Sequence, residues 1–435
     1  MNLTKIIRIV PVLGVALLPL ACDFDVVNPG PVQEAFLDDP SSQPALVAGA
    51  GRATAQALNY LAYTSAAIAR EIHPAGSTGS FGIDQRWQDG ELPDDVDNTH
   101  WNWSQRARWL AEKAVDVIEE QGGESQPGLL AQAYLWVGYA NRMNGEHMCQ
   151  AVIDGAAPTS NNEYLNRAEA AFSQASTLGS GAVKDAAIAG RASVRAQLGK
   201  WAEAAADAAQ ISDGFSYMMP YYDGFGDDLR NRIYWATGKT PYKAHSQWNT
   251  WIEGYGLNPT TNPNGDPRVA YRDGGETGDA AVQGCLPFCP TSPGRVPWYP
   301  TTKYTSSGDD IELSSGPEMR LIEAEKMLMD GDWQGAMDKV NALRTAAGMS
   351  AETATNLAEA WGFFKREHAI EMWLEGRRLP ALRRWKDAGL TEDDLQPLEK
   401  VSGSRDLGSH LVTRDYCFPI ALSEQQTNTN VGTGG

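Results

Sequence analysis

The segment RASVRAQLGKWAEAAADAAQI (Arg191–Ile211) most constrains how this chain can fold. Two Ala-rich runs with helical periodicity flank Gly199, which supplies a turn, and Trp201, which packs after it. The small Ala side chains let the two helices approach closely. RLIEAEKMLMDGDWQGAMDKVNAL (residues 320–343) is a weaker copy with Gly331 and Trp333 in the same places, and Tyr139–Gly145 begins a third. A unit of this kind cannot bury its apolar face alone, so copies must stack into a scaffold whose core is Ala, Leu and Trp. Trp201 and Trp333 are therefore assigned to packing.

Further amphipathic, Ala-rich stretches extend the pattern. Helices are expected over Ala45–Ile72, Trp101–Glu120, Gly128–Asn144, Glu163–Leu178, Ala182–Leu198 and Trp201–Ile211. In the second, Trp103, Ala107, Leu110, Ala114 and Val117 form one stripe. Hairpins with a G-x-W turn resemble tetratricopeptide repeats. Between Ile211 and Gly316 the helical period disappears, leaving about a hundred residues dense in Gly, Pro, Asn, Asp, Trp and Tyr. Such a stretch is too long for a plain connector and is usually functional. The reading is a mainly α chain: a helical-hairpin part over 46–211, an irregular insert over 212–316 and a second helical part over 317–435.

Residues 1–21 read as a targeting segment. Lys5 and Arg8 form a basic start, Ile9–Ala21 is an apolar run without charge, and Ala21 precedes Cys22. The run is too short to span a bilayer core, which takes about 20 helical residues. Cys22 is the residue expected to carry a lipid after cleavage, with 22–45 as anchor and tether. Pro19 departs from the usual Leu three positions before the cut. A secreted protein with Cys22 as an ordinary thiol is the alternative.

The remaining chain carries 34 Lys and Arg against 55 Asp and Glu, a net charge of −21. That balance repels phosphate backbones and argues against nucleic acid as a partner. Four further Cys make an even set in an oxidising compartment. Cys285 and Cys289 are close enough to bridge locally, and Cys149 with Cys417 would then be a long-range pair. Free thiols are the alternative, and a zinc site would need closer pairs or adjacent His.

No catalytic constellation emerges. There is no His-Glu-x-x-His pair and no G-x-S-x-G elbow. Thr237-Gly238-Lys239-Thr240 lacks the first Gly of a phosphate loop and runs into Pro241. Glu367, Glu371 and Glu375 stack at i, i+4 and i+8, where like charges cost about 0.2–0.5 kcal/mol per pair. An ion-pair lattice, with Arg377, Arg378, Arg383 and Arg384 at hand, explains them better than acid/base work. Asn262, Asn264, Asp266, Asp273, Glu276 and Asp279 gather oxygens, so calcium is conceivable, but the spacing does not match the twelve-residue calcium loop. A plain polar turn is preferred, and no cofactor is expected.

Four blocks in the last third of the chain carry a resemblance. They are Arg320-Leu321-x-Glu323-Ala324-Glu325, then Gly331-Asp332-Trp333 leading to Asn341-x-Leu343-Arg344, then REHAIEMWLEGRRLPALRRW (366–385), then Phe418-Pro419-Ile420 with Glu424 and Asn428. In that order they resemble the starch-utilisation-system D family, SusD/RagB. Asp266-Pro267-Arg268 resembles a recurrent step of the same family. The periodicity of Ile370, Trp373 and Leu374 makes the third block a helix, which Pro380 should stop or kink near Leu379. The resemblance implies a lipoprotein on the outer membrane that binds nutrients without covalent chemistry. It would deliver them as a lid over a SusC-like TonB-dependent barrel.

Ligand capture is expected on aromatic loops, where a sugar's C–H face stacks on Trp or Tyr beside hydrogen-bonding Asn, Asp and Arg. Three clusters qualify. One is Trp87 with Trp101, Asn102 and Trp103, near Asp84, Asp94 and Asp97. Another is Tyr221 and Tyr222, extended by Trp248, Trp251 and Tyr255, and the last is Trp298 with Tyr299. The bland role for each Trp is helix packing. On this reading, Trp101→Ala or Trp251→Ala weakens oligosaccharide binding with little loss of melting temperature. A peptide or other nutrient on the same fold, a tetratricopeptide-type assembly scaffold and a hydrolase are the competing functions.

Overall fold

The computed structural model describes residues 39–75, 84–122, 126–224, 226, 229–238, 243–274, 297–390, 395–401, 403 and 411–432. The expectations for residues 1–21, for Cys22 and its lipid and for Cys285–Cys289 lie outside the described residues, as do Glu276 and Asp279.

Helix α1 (Gln43–Ile68) is the axis of the molecule. From Ala53 to Ile68 only Tyr60 escapes full burial, because Ala and Leu spread around the helix and buried polar side chains such as Asn59 and Thr64 find hydrogen-bond partners. Strand β1 (His73–Pro74), the short helix α2 (Gln85–Asp89), and α3 (Asn98–Glu120) follow, with α3 laid against α1. Next come α4 (Pro127–His147), the hairpin β2–β3 (Gln150–Ala151 and Thr159–Ser160), α5 (Asn162–Leu178), α6 (Gly181–Gln197) and α7 (Trp201–Ala208). From α3 on, each helix packs on its successor. The turn before α7 places Gly199 at φ +73°, a conformation costly for residues with a Cβ.

The insert contains strand β4 (Ser216–Met219), helix α8 (Arg232–Thr237), strand β5 (His245–Ser246), helix α9 (Ile252–Tyr255) and strand β6 (Ile311–Ser315). β4 pairs antiparallel with β6, which joins the two ends of the insert to each other, and β5 pairs with β1, which ties its middle to the N-terminal helical part. The C-terminal part is α10 (Gly316–Met329), α11 (Trp333–Ala346), α12 (Leu357–Glu371), α13 (Arg378–Asp387) and α14 (Leu422–Thr427). One continuous core of buried side chains runs from Val47 to Val431. The turn glycine Gly331 has φ +84°, and Trp201 and Trp333 pack half-buried as expected, Trp201 beneath the Arg384 guanidinium at 5.5 Å.

Two details of the family-like block differ from expectation. The helix ends at Glu371, not near Leu379, and Pro380 sits in the first turn of α13, where its missing N–H costs no helical bond. The break is made by Leu374 at φ +60° and Gly376 at φ +74°. A left-handed Leu is strained, and the surroundings hold it there. Its N–H donates to buried Glu71 (3.0 Å), and its carbonyl accepts from the Tyr304 hydroxyl (3.1 Å).

The glutamate ladder forms an ion-pair lattice, but its cations come largely from the insert. Arg268 binds Glu367 and Glu371 (2.6 Å to the latter), with Asp266 at 2.6 Å on the guanidinium's other side, and Lys303 binds Glu375 at 2.5 Å. The neighbouring arginines reach elsewhere: Arg377 to Glu318 (2.7 Å), Arg378 to Glu399 (2.7 Å) and Arg384 to Glu325. The lattice thus rivets the Asp266-Pro267-Arg268 step of the insert onto α12. Asp266 also caps the short 3-10 helix Pro267–Val269, and Asn262 donates to the Gly256 carbonyl, so both face structure. Among the described residues no three His, Cys, Asp or Glu are grouped to hold a metal.

Candidate functional site

Ser246 on β5 organises the site. Its hydroxyl accepts the backbone N–H of Trp248 (3.0 Å) and of Tyr299 (2.9 Å) and donates to the Pro297 carbonyl (2.9 Å). The Gln247 N–H also donates to the Tyr299 carbonyl (2.9 Å). Two aromatic residues far apart in sequence are therefore fixed to one oxygen. Both are half-buried, with part of each side chain open. His73 backs Trp248 edge-on, with ring centres 4.9 Å apart, and Tyr271 backs Tyr299 at 5.7 Å.

The surrounding backbone is equally fixed. Buried Arg70 donates to the Asn249 carbonyl (3.0 Å), Asn249 donates its N–H to Glu253 (2.8 Å), and the Tyr271 hydroxyl donates to the Glu253 carbonyl (3.0 Å). Burial, together with the charges of Glu253 and Asp273, raises the Tyr299 phenol above its ordinary range. It therefore stays protonated and able to donate. Trp298, next to Tyr299 in the chain, is buried, 2% exposed, with Lys243 and Arg272 over its ring at 5.4 and 5.5 Å. Both polar atoms of the buried Gln247 carboxamide lack a partner among the described residues. The arrangement offers two aromatic surfaces with carboxylates and a phenol beside them, which suits non-covalent capture of a hydroxylated ligand.

The other expected aromatics divide by burial. Trp87 (2% exposed) and Trp101 (1%) offer no face to a ligand. Trp87 meets His100 edge-on at 4.9 Å, and His100 stacks on Phe418 at 5.0 Å. The Thr64 hydroxyl lies 2.7 Å from the His100 ring, whose burial lowers its pKa to about 3 and keeps it neutral. The Trp101 indole N–H points to Glu424 at 3.5 Å. This cluster joins the start of α3 to the C-terminal Phe418-Pro419-Ile420 element, and its assignment to ligand is corrected to packing. Asn102 is exposed, and Trp103 is half-buried beneath Arg106 at 5.2 Å.

Tyr221 and Trp251, each 3% exposed, are likewise corrected to structure, as is Trp298. The Tyr221 hydroxyl donates to the Ala55 carbonyl (2.7 Å), and Trp251 packs against Tyr255. Tyr255 donates to Gln396 (3.1 Å) and lies under Arg366 at 5.3 Å, so both its ring and its hydroxyl are engaged. Tyr222 is 58% exposed and stands at a separate cavity of about 300 Å³ with Trp136. Sequence reasoning missed Ser246, His73 and Tyr271. Only Tyr271 had a signal, as a Tyr beside the Asp-Pro-Arg step.

Cys149 and Cys417 form a disulfide with Cα atoms 5.0 Å apart, beside a parallel bridge between Met148 and Phe418. It ties the end of α4 to the same C-terminal element that the Trp87–His100 stack holds.

Stacked helical hairpins carrying an irregular, aromatic-rich insert riveted to the C-terminal helices define the class, a mainly α, SusD-like fold. Residues 317–432 match the SusD family model. A SusD superfamily protein from Parabacteroides distasonis shares the fold at TM-score 0.65 and 13% identity, over 91% of this chain and 99% of that one. A SusD-like carbohydrate binding protein from Bacteroides fragilis matches at TM-score 0.57 and 15% identity, over 91% and 100%. A laminarin binding SusD-like protein matches at 0.55 and 13%, over 90% and 98%. No curated protein matches by sequence. Residues 317–432 thus carry the SusD family's sequence pattern, and the chain shares the fold of SusD-like proteins.

Proposed function

We propose that this chain captures oligosaccharide nutrients at the cell surface, using the Trp248–Tyr299 platform. The observation that carries the reading is the Ser246 anchor, which fixes two partly open aromatic residues before any ligand arrives. Preorganisation of that kind lowers the ordering cost of binding. Relatives described as carbohydrate binding and laminarin binding support the ligand class. Binding proceeds without covalent chemistry, and the captured glycan passes to a SusC-like TonB-dependent barrel over which the chain closes as a lid. A lipid on Cys22 holds the protein to the outer membrane. No helix among the described residues is long and apolar enough to cross a membrane.

Titration of the purified chain with a panel of neutral oligosaccharides, followed by calorimetry and Trp fluorescence, tests the reading. Saturable binding to at least one glycan family is expected. Silence across the panel, with binding to peptides instead, would transfer the same fold to another nutrient.

A further inference from the structure

The cavity at Tyr222 differs in chemistry from the platform. One face of α1 supplies Ala48, Gly51, Arg52 and Ala55, at helical spacing i, i+3, i+4 and i+7. Trp136 of α4, Met219, Pro220, Tyr222 and Leu229 complete a lining of about 300 Å³. Gly51 is what lets the indole lie there, since a Cβ at this position would come within 2.9 Å of Trp136 Cε2.

The walls are fixed to α1 at two levels. The Tyr221 hydroxyl donates to the Ala55 carbonyl (2.7 Å), and Asn59 both donates to the Arg230 carbonyl (2.5 Å) and accepts the Arg232 N–H (2.8 Å). The Tyr222 N–H donates to the Leu229 carbonyl (2.6 Å), which holds these two lining residues together.

Among the described lining residues only the Arg52 guanidinium and the Tyr222 hydroxyl are polar side-chain groups. Arg52 is exposed and makes no hydrogen bond or ion pair with any described residue. A sugar ring would be a poor occupant, because each hydroxyl buried there without a partner costs about 1–3 kcal/mol. An apolar ring would stack on Trp136 and Tyr222, and a single negative charge would satisfy the guanidinium. From this charge and shape complementarity we infer that the cavity is a binding site for a small monocarboxylate with one flat apolar ring. The site is separate from the glycan platform and does not depend on it.

The test uses 3-phenylpropionate as the probe, with 3-phenylpropan-1-ol and glucuronate as comparisons, read by calorimetry and saturation-transfer NMR on the intact chain. The carboxylate should bind at low millimolar concentration or better, about tenfold tighter than either comparison. Arg52→Met should weaken it about tenfold and leave the alcohol unchanged. Ala55→Leu should abolish binding of both ring compounds by filling the cavity, and Trp248→Ala should affect neither. Arg52 bonds to no described residue, so its variant should melt with the wild type. Equal affinity for the alcohol, preference for glucuronate, indifference to Arg52→Met or no binding at all would each overturn the proposal.

Discussion

The Trp87–Trp101 cluster and the Trp248–Tyr299 cluster have nearly the same composition and opposite fates. Each places Trp close to Asp or Asn, in or beside a short helix or at the start of a longer one. In the first, Phe418 stacks on His100 behind Trp87, and Glu424 of α14 reaches the Trp101 indole. A distant part of the chain has sealed the rings. In the second, Ser246 holds the backbone, and His73 and Tyr271 back the rings from behind, leaving part of each exposed. Aromatic-rich loop composition therefore does not separate glue from platform. What decides is whether a long-range partner covers the rings or merely braces them.

The strongest way to break this comparison is to truncate the sealed cluster. Trp101→Ala should destabilise the fold by about 3–5 kcal/mol, as for large core aromatics, seen as a large drop in melting temperature. The same substitution should leave glycan affinity of the surviving folded protein near wild type. A lost affinity at unchanged melting temperature would restore the ligand role that the sequence suggested.

Ser246→Ala sharpens the other half. It strips two partly buried N–H groups of their acceptor, which should cost about 1–3 kcal/mol. It should also weaken glycan binding, because the platform would have to order on binding. Chemical denaturation and calorimetry on the same sample separate the two effects.

Asp97, at the edge of the sealed cluster, gives the smallest effect and a pH signature. Burial, reinforced by the Asp94 charge, raises its pKa to about 8. A raised folded-state pKa favours the protonated form. Its stabilisation is complete below about pH 4, near the unfolded value, and is lost as pH rises toward 8. Asp97→Asn should therefore stabilise the protein at pH 8, by on the order of 1 kcal/mol, and make little difference at pH 4.5. Melting curves across that range check it. An advantage that grew toward acid would contradict the assignment.

Much of the fold was legible because Ala-rich amphipathic runs state their period locally. The hairpins from α4 to α7, with the Gly199 turn, lie within a few residues of expectation. The fold of the third family-like block was less so, since a helix end set by Leu374 depends on Glu71 and Tyr304, far away in sequence. The ion-pair lattice was predictable in kind, but Arg268 and Lys303 could be matched to their glutamates only through the folded insert. For the site, Trp248 and Tyr299 stood out by residue type. Ser246 did not, because its role arises when β5 brings residues 297–299 alongside. Nor did burial of Trp87 and Trp101 show locally, since it is imposed from the C-terminal end of the chain.

The most direct measurement is calorimetric titration of Trp248→Ala beside the wild type, using a glycan that the wild type binds, with melting temperatures recorded for both. Affinity should fall about tenfold or more while melting temperature stays close to wild type. Unchanged affinity in the folded Trp248→Ala protein would contradict the platform and place glycan capture elsewhere.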